Sequence, residues 1–239
     1  MSDLFCTRMA SIHRVSEPCV QNPQRMDRFS DVSNEANLMR IEALIFDIGN
    51  VLVAFDWQPF KNQLLAGSVN LTAETEMKFR ELVIRFDVGE MNGELFAWLA
   101  TRLIGFKGGE AEFIAIWNGI FSSIPPMERI ILNLKKRYPL FLLSNTSDLH
   151  LAYLRRNFDV LQHFTDGVYS FRAKCAKPER RIFEMAIKQF GLQAENTAYI
   201  DDLPANIRSA TEVGLKTIQY DLTKHAEFEQ RLTQIGVQI

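Results

Sequence analysis

Little in this sequence suggests secretion, a membrane or nucleic acid. Cysteine is scarce: the 239 residues hold three, Cys6, Cys19 and Cys175, an odd number with no metal-ligand spacing. That argues against a disulfide-framed secreted domain and for a reducing compartment, hence a cytoplasmic protein. No apolar run approaches the ~18–20 residues of a transmembrane helix, and no N-terminal stretch has the apolar centre of a secretory signal. Neither sign of charge dominates. The 27 basic and 29 acidic residues give a formal net charge of −2 and a pI near 6.1. The chain therefore lacks the electrostatic footprint of a partner for nucleic acid or an anionic membrane. Internal repeats and low-complexity tracts are missing too. The balance of 47% hydrophobic and 23% charged residues is globular. At roughly 100–200 residues per domain, the length fits one domain, or one carrying a smaller insert.

Residues 1–40 stand apart. They contain no Lys, five Arg against five acids, and apolar residues with neither a helical nor a strand period. Pro18 and Pro23 interrupt any helix. The segment is expected to be a disordered or loosely attached extension.

From Ile41 the pattern is regular. Ile41–Phe46 is a short apolar run, the mark of a buried parallel strand. Residues 57–126 read as helices: Phe79, Leu82, Val83 and Phe86 share a helical face, as do Leu95, Phe96, Leu99 and Leu103, and Phe113, Trp117, Ile120 and Phe121 repeat the spacing. Strand and helix then alternate. Strands are expected at Leu140–Leu143, Val168–Ser170, Thr197–Ile200 and Leu215–Gln219, with helices at about 127–137, 148–157, 182–190 and 204–213. Such alternation predicts an α/β fold with a parallel sheet covered on both faces. The chain divides into an α/β core, 41–56 and 127–239, and a helical insert, 57–126, after the first strand.

In an open α/β sheet, ligands bind beyond the carboxyl ends of the strands. Those ends carry Asp47, Ser144 with Asn145 and Thr146, and Asp201-Asp202; Lys177-Pro178 precedes a helix. Each has an ordinary reading alone: a turn residue, a helix cap, a solvated Lys, a Pro at the first position of a helix. All four falling at the right ends, in order, argue for one site. Asp47 beside Asp201-Asp202 would gather negative charge that calls for a cation, and Mg²⁺ suits oxygen ligands. Lys177 and Ser144 offer a positive charge and a hydrogen bond to a phosphoryl group, and a carboxylate nucleophile can take that group covalently.

Taken together, FDIGNVLV, FLLSNTSDLH, KPERRIF and YIDDLPANI resemble the four motifs of the haloacid dehalogenase-like hydrolase superfamily. The first phrase, with FDVGEMNGELF and WNGIF in the insert, is similar to the branch that contains bacterial α-D-glucose-1-phosphate phosphatases. The resemblance implies a Rossmann-like core with a small helical cap at 57–126. It implies a Mg²⁺-dependent phosphatase acting on a small phosphorylated metabolite, with sugar phosphates among the candidates, through an aspartyl-phosphate on Asp47. Asp47, Lys177 and Ser144 are then the catalytic residues. Ser144, Asn145, Lys177 and Asn50 would bind substrate. Asp47, the Gly49 carbonyl, Asp202 and Asp201 would hold the metal, with Asp202 the first choice of the pair. Many members carry a second Asp two residues after the nucleophile as general acid and base. Gly49 stands there instead, so Asp56 or a cap residue is a candidate substitute. This departure keeps other readings open: a phosphotransferase or mutase, or a degenerate member that binds a phosphorylated ligand without turnover. Asp201-Asp202 counts against a metal-free dehalogenase. The four histidines show no metal spacing; His150 is expected on a helix surface, and Trp57 and Trp117 in the packing of the insert. Cys175 reads as a free loop thiol.

Overall fold

Three central strands are buried end to end, and this sets the architecture. The computed structural model describes residues 40–239; the extension expected at 1–40 lies, apart from Arg40, outside the described residues. In chain order the described residues hold β1 (Ala43–Phe46), a short β2 (Val53–Phe55), helices α1 (Trp57–Gly67), α2 (Ala73–Asp87), α3 (Gly93–Ile104) and α4 (Glu110–Asn118), then β3 (Phe121–Ser123), α5 (Pro125–Leu134), β4 (Leu140–Ser144), α6 (Asp148–Asn157), β5 (Asp166–Tyr169), the single turn α7 (Ser170–Ala173), α8 (Arg180–Phe190), β6 (Thr197–Asp201), α9 (Pro204–Glu212), β7 (Lys216–Gln219) and α10 (His225–Gln234). The five parallel strands are ordered β5-β4-β1-β6-β7. This is the α/β parallel sheet expected from the alternation of strands and helices.

The period-two pattern divides the sheet's side chains between two layers. Leu44, Phe46, Leu140, Leu142, Ala198 and Ile200 pack with α5, α6 and α10 on one face. Ala43, Ile45, Phe141, Leu143 and Tyr199 pack with α8 and α9 on the other. A third cluster belongs to α1–α4, where Phe60, Phe79, Phe86, Phe96, Phe113 and Trp117 are buried against one another. Asn92 caps α3 by accepting the Leu95 N–H at 2.9 Å, and Ser147 caps α6 by accepting that of His150 at 3.3 Å. Among the described residues no helix is long and apolar enough to cross a membrane.

Several expectations need correcting. The insert is not helical throughout: Phe121 lies in β3, which pairs antiparallel with β2, so α4 stops at Asn118 with Gly119 behind it. In α3 the buried stripe is Phe96, Ala97, Ala100 and Ile104, while Leu95 is 47% exposed. Small Ala residues, invisible to a reading that counts only large apolar side chains, let α3 approach its neighbours. Helix α10 follows the last strand and was not foreseen, because its large apolar side chains are only Phe228 and Leu232. Pro178 does not open α8, which starts at Arg180. Cys175 is free but buried. His150 is buried as well, stacked on Trp117 with ring centroids 4.9 Å apart and bonded to the Trp117 carbonyl at 3.1 Å. Burial holds its pKa down at about 4, so it is a neutral joint between α6 and the insert.

Candidate active site

The strand order decides which side chains meet. β1 lies between β4 and β6, and the pairing of Phe46 with Ile200 puts the next residues, Asp47 and Asp201, side by side. The Asp47 N–H donates to the Ile200 carbonyl at 2.9 Å, carrying the ladder one step past the strand. Ser144 ends β4 and is buried; its hydroxyl has no hydrogen-bond partner among the described residues. Lys177 comes from the loop between α7 and α8. Asn145 fastens that loop: its Nδ2 donates to the Lys177 carbonyl and its Oδ1 accepts the Lys177 N–H, both at 2.8 Å. Asn145, expected to bind substrate, thus commits both ends of its amide to the Lys177 backbone.

The Lys177 ammonium donates to Asp201 Oδ2 at 2.7 Å and to the Leu143 carbonyl at 3.0 Å, and pairs with Asp47 Oδ1 at 2.9 Å. Burial opposes this charge, yet Asp201 and Asp47 together raise the Lys177 pKa above its ordinary value. Asp201 is wholly buried and saturated: Oδ1 accepts from the Leu203 N–H and Asn206 Nδ2, each at 2.9 Å, and Oδ2 from Lys177, the Tyr199 hydroxyl and Asn206. Asp202 is half-buried and accepts a 3.3 Å bond from Asn50 Nδ2.

Carboxylate oxygens of Asp47, Asp201 and Asp202 lie within 4.8 Å of one another. One ammonium faces three carboxyl groups, and the imbalance shows in their acidity. Burial, with Asp201 and Asp202 adding to it against Lys177, pushes Asp47 up to about 7. Burial and Asp201 also raise Asp202. An all-oxygen cluster with excess negative charge fits a hard divalent cation such as Mg²⁺.

In the loop after Asp47 the space beside Gly49 is taken: a Cβ there would lie 2.9 Å from Cε1 of the Phe55 ring. Asn50 adopts a positive φ of 53° and links this loop to Asp202. Asp56, considered as a substitute acid, caps α1 by accepting the Gln58 N–H at 2.8 Å on the surface.

Sequence reading missed Tyr199 and Ser170, since an OH inside an apolar run looks like packing or a turn. It also missed Asp87, at the end of α2. That half-buried carboxyl has no hydrogen-bond or charged partner among the described residues, and desolvation alone pushes it up to about 7. An acid whose folded pKa exceeds its unfolded value costs stability as pH rises from about 4 through about 7. Asp87→Asn is therefore expected to raise the melting temperature more at pH 8 than at pH 5. Thermal melts at the two pH values check this; an equal shift at both would contradict it.

Comparison with known proteins finds relatives in sequence and fold. The family model for haloacid dehalogenase-like hydrolases matches residues 41–214. A D-ribitol-5-phosphate phosphatase of Bacteroides thetaiotaomicron is 26% identical over 208 residues, covering 82% of this chain and 98% of its own. A haloacid dehalogenase family enzyme of the same organism, solved in complex with magnesium and inorganic phosphate, superposes with a TM-score of 0.70 at 25% identity, over 77% of this chain and 96% of its own. A haloacid dehalogenase-like family hydrolase of Porphyromonas gingivalis gives a TM-score of 0.68 at 26% identity, over 81% and 98%.

Proposed function

The chain belongs to the haloacid dehalogenase-like hydrolases, and within that family of enzymes we propose that it is a Mg²⁺-dependent phosphatase of a small sugar or polyol phosphate, working through a phosphoryl group carried on Asp47. The observation that carries this reading is the buried set at the ends of β1, β4 and β6: a carboxylate, Asp47, bonded to an ammonium that also grips Asp201, with Asp202 alongside. The phosphatase and the magnesium–phosphate complex among its relatives support the same chemistry.

Asp47 and Asp202 would hold the cation, with the Gly49 carbonyl as a further oxygen. Asp201, whose oxygens already accept donors on every side, supports from behind. When bound, the cation supplies positive charge for the transferring phosphoryl oxygens and balances the carboxylates. In the first step an Asp47 carboxylate oxygen attacks phosphorus and the bond to the sugar oxygen breaks. In the second, water attacks phosphorus, inorganic phosphate leaves, and the Asp47 carboxylate returns. Lys177 fixes the attacking carboxylate and Ser144 offers its free hydroxyl to a phosphoryl oxygen. With Gly49 where the usual acid would stand and Phe55 filling the space beside it, general acid–base help, typically ~10²–10⁴-fold, must come from elsewhere in the site. Helices α1–α4 would form the cap over this site, which favours a small metabolite as substrate.

The test is phosphate release from a panel holding ribitol 5-phosphate, glucose 1-phosphate, glucose 6-phosphate and 4-nitrophenyl phosphate, with Mg²⁺ and with EDTA. Release is expected with Mg²⁺ and is lost in EDTA. Turnover indifferent to EDTA, or none across the panel, defeats the proposal. An added sugar that takes the phosphoryl group in place of water would favour a phosphotransferase instead.

A further inference from the structure

The turn between α2 and α3 cannot satisfy its own carbonyls. The N–H groups of Val88, Gly89 and Glu90 close back on the carbonyls of Ile84, Phe86 and Arg85. The carbonyls of Asp87 and Gly89 are left over, and the core takes both: Ser170 Oγ donates to Asp87 at 2.6 Å, and Lys174 Nζ donates to Gly89. Beyond the turn, the Gly93 N–H donates to Asp148 Oδ2 at 3.0 Å. The fit is tight, since a Cβ on Gly93 would lie 2.4 Å from Leu149 Cγ, and Gly89 has a φ of +72°.

Ser170 faces two ways. It is fully buried, and its Oγ also accepts the Thr146 N–H at 3.0 Å while lying 3.1 Å from the Thr146 carbonyl. A hydroxyl has one hydrogen, so it donates to Asp87 or to Thr146 but not to both. The shorter distance gives the proton to Asp87, on the cap. Thr146 follows Ser144 and Asn145, the residues beside the phosphoryl position and behind Lys177.

We propose that Ser170 is a positioning residue that makes the setting of the loop 144–146 depend on the seating of the α2–α3 turn. With the turn seated, the hydroxyl donates to Asp87 and accepts from Thr146, so the cap and the phosphoryl-binding loop share one pin. When the turn lifts, the hydroxyl rotates to the Thr146 carbonyl and keeps a partner. The hydroxyl therefore has an acceptor in either arrangement and is never left buried without a partner. The kinetic part of the test rests on the phosphatase reading; the exchange part does not.

Backbone hydrogen exchange is measured on the wild-type chain with MgCl₂, with and without inorganic phosphate. Phosphate is expected to slow exchange in segments 87–93 and 144–147 together; slowing confined to 144–147 overturns the proposal. In Ser170→Ala the two segments are expected to uncouple, with 144–147 responding only at tenfold or more higher phosphate and 87–93 not responding. Parallel protection in that variant also overturns it. On a substrate the wild type hydrolyses, Ser170→Ala is expected to lose at least tenfold in kcat with KM changed less than threefold, because misplacement acts on the reacting geometry rather than on capture. A rise in KM alone would contradict that. If Ser170→Ala does not fold, the wild-type exchange experiment decides. If no phosphoester is hydrolysed, the phosphatase reading falls, and exchange still decides the role of Ser170.

Discussion

Asp47→Asn is expected to lower kcat for phosphate release by at least about 10⁴-fold, the scale seen when a covalent nucleophile is removed, while leaving the fold intact. The amide oxygen of Asn can still accept from Lys177 and the Ile48 N–H, which bond Asp47 Oδ1 at 2.9 and 2.7 Å. What it cannot do is attack phosphorus. The variant also removes one of three clustered carboxyl groups, of which two pair with the single ammonium. In EDTA its melting temperature is therefore expected to equal or exceed that of the wild type. Phosphate release and a thermal melt on the same preparation check both halves. More than 1% residual activity would remove Asp47 from the role of nucleophile. A lower melting temperature in EDTA would show that Asp47 is needed as a counter-charge to Lys177 rather than tolerated at a cost.

The site was legible because its residues sit where strands end, and strand ends are the part of an α/β fold that apolar runs mark most clearly. Asp47, Ser144 and Asp201 each follow a stretch with nearly every residue buried. The chemistry of those residue types, more than the exact bounds of the strands, carried the reading. The cap was less legible. Its aromatic residues gave helices, but the face of α3 depends on Ala97 and Ala100, whose small size matters only once a neighbouring helix is in place. The β2–β3 ribbon is three residues a strand, too short for a period to register. His150 and Ser170 were misread or overlooked for one reason: a polar residue's task depends on what packs over it. His150 lies under Trp117 and Ser170 under the turn after α2, partners distant in sequence. Asp87 is the same case, since nothing local distinguishes a half-buried, desolvated acid at a helix end from a solvated one.

Lys177→Met should reveal how much of the core depends on one buried charge. Met matches the length of the Lys stem and fills its space, so the loss is mainly electrostatic. Lys177 is the ammonium that Asp47 and Asp201 share, and both carboxyl groups are buried. Removing one partner of a buried ion pair costs about 3–5 kcal/mol, because the other charge is stranded. For a chain of this size that corresponds to a fall of roughly 10 °C in EDTA. Activity should fall by at least ~10², the scale for losing one group that stabilises transition-state charge. Mg²⁺ sharpens the test. A cation that binds only the folded chain stabilises it by mass action, and the variant's carboxyl cluster lacks its positive partner, so its attraction for a cation is greater. The rise in melting temperature on adding Mg²⁺ is therefore expected to be larger in Lys177→Met than in the wild type, although the variant stays nearly inactive. An equal or smaller rise would mean that the cation does not bind among Asp47, Asp201 and Asp202. Lys177→Arg should not rescue activity. The three acceptors, Asp47, Asp201 and the Leu143 carbonyl, surround a compact ammonium at 2.7–3.0 Å. A planar guanidinium, longer and with its donors in a fixed fork, cannot meet them without displacing the nucleophile.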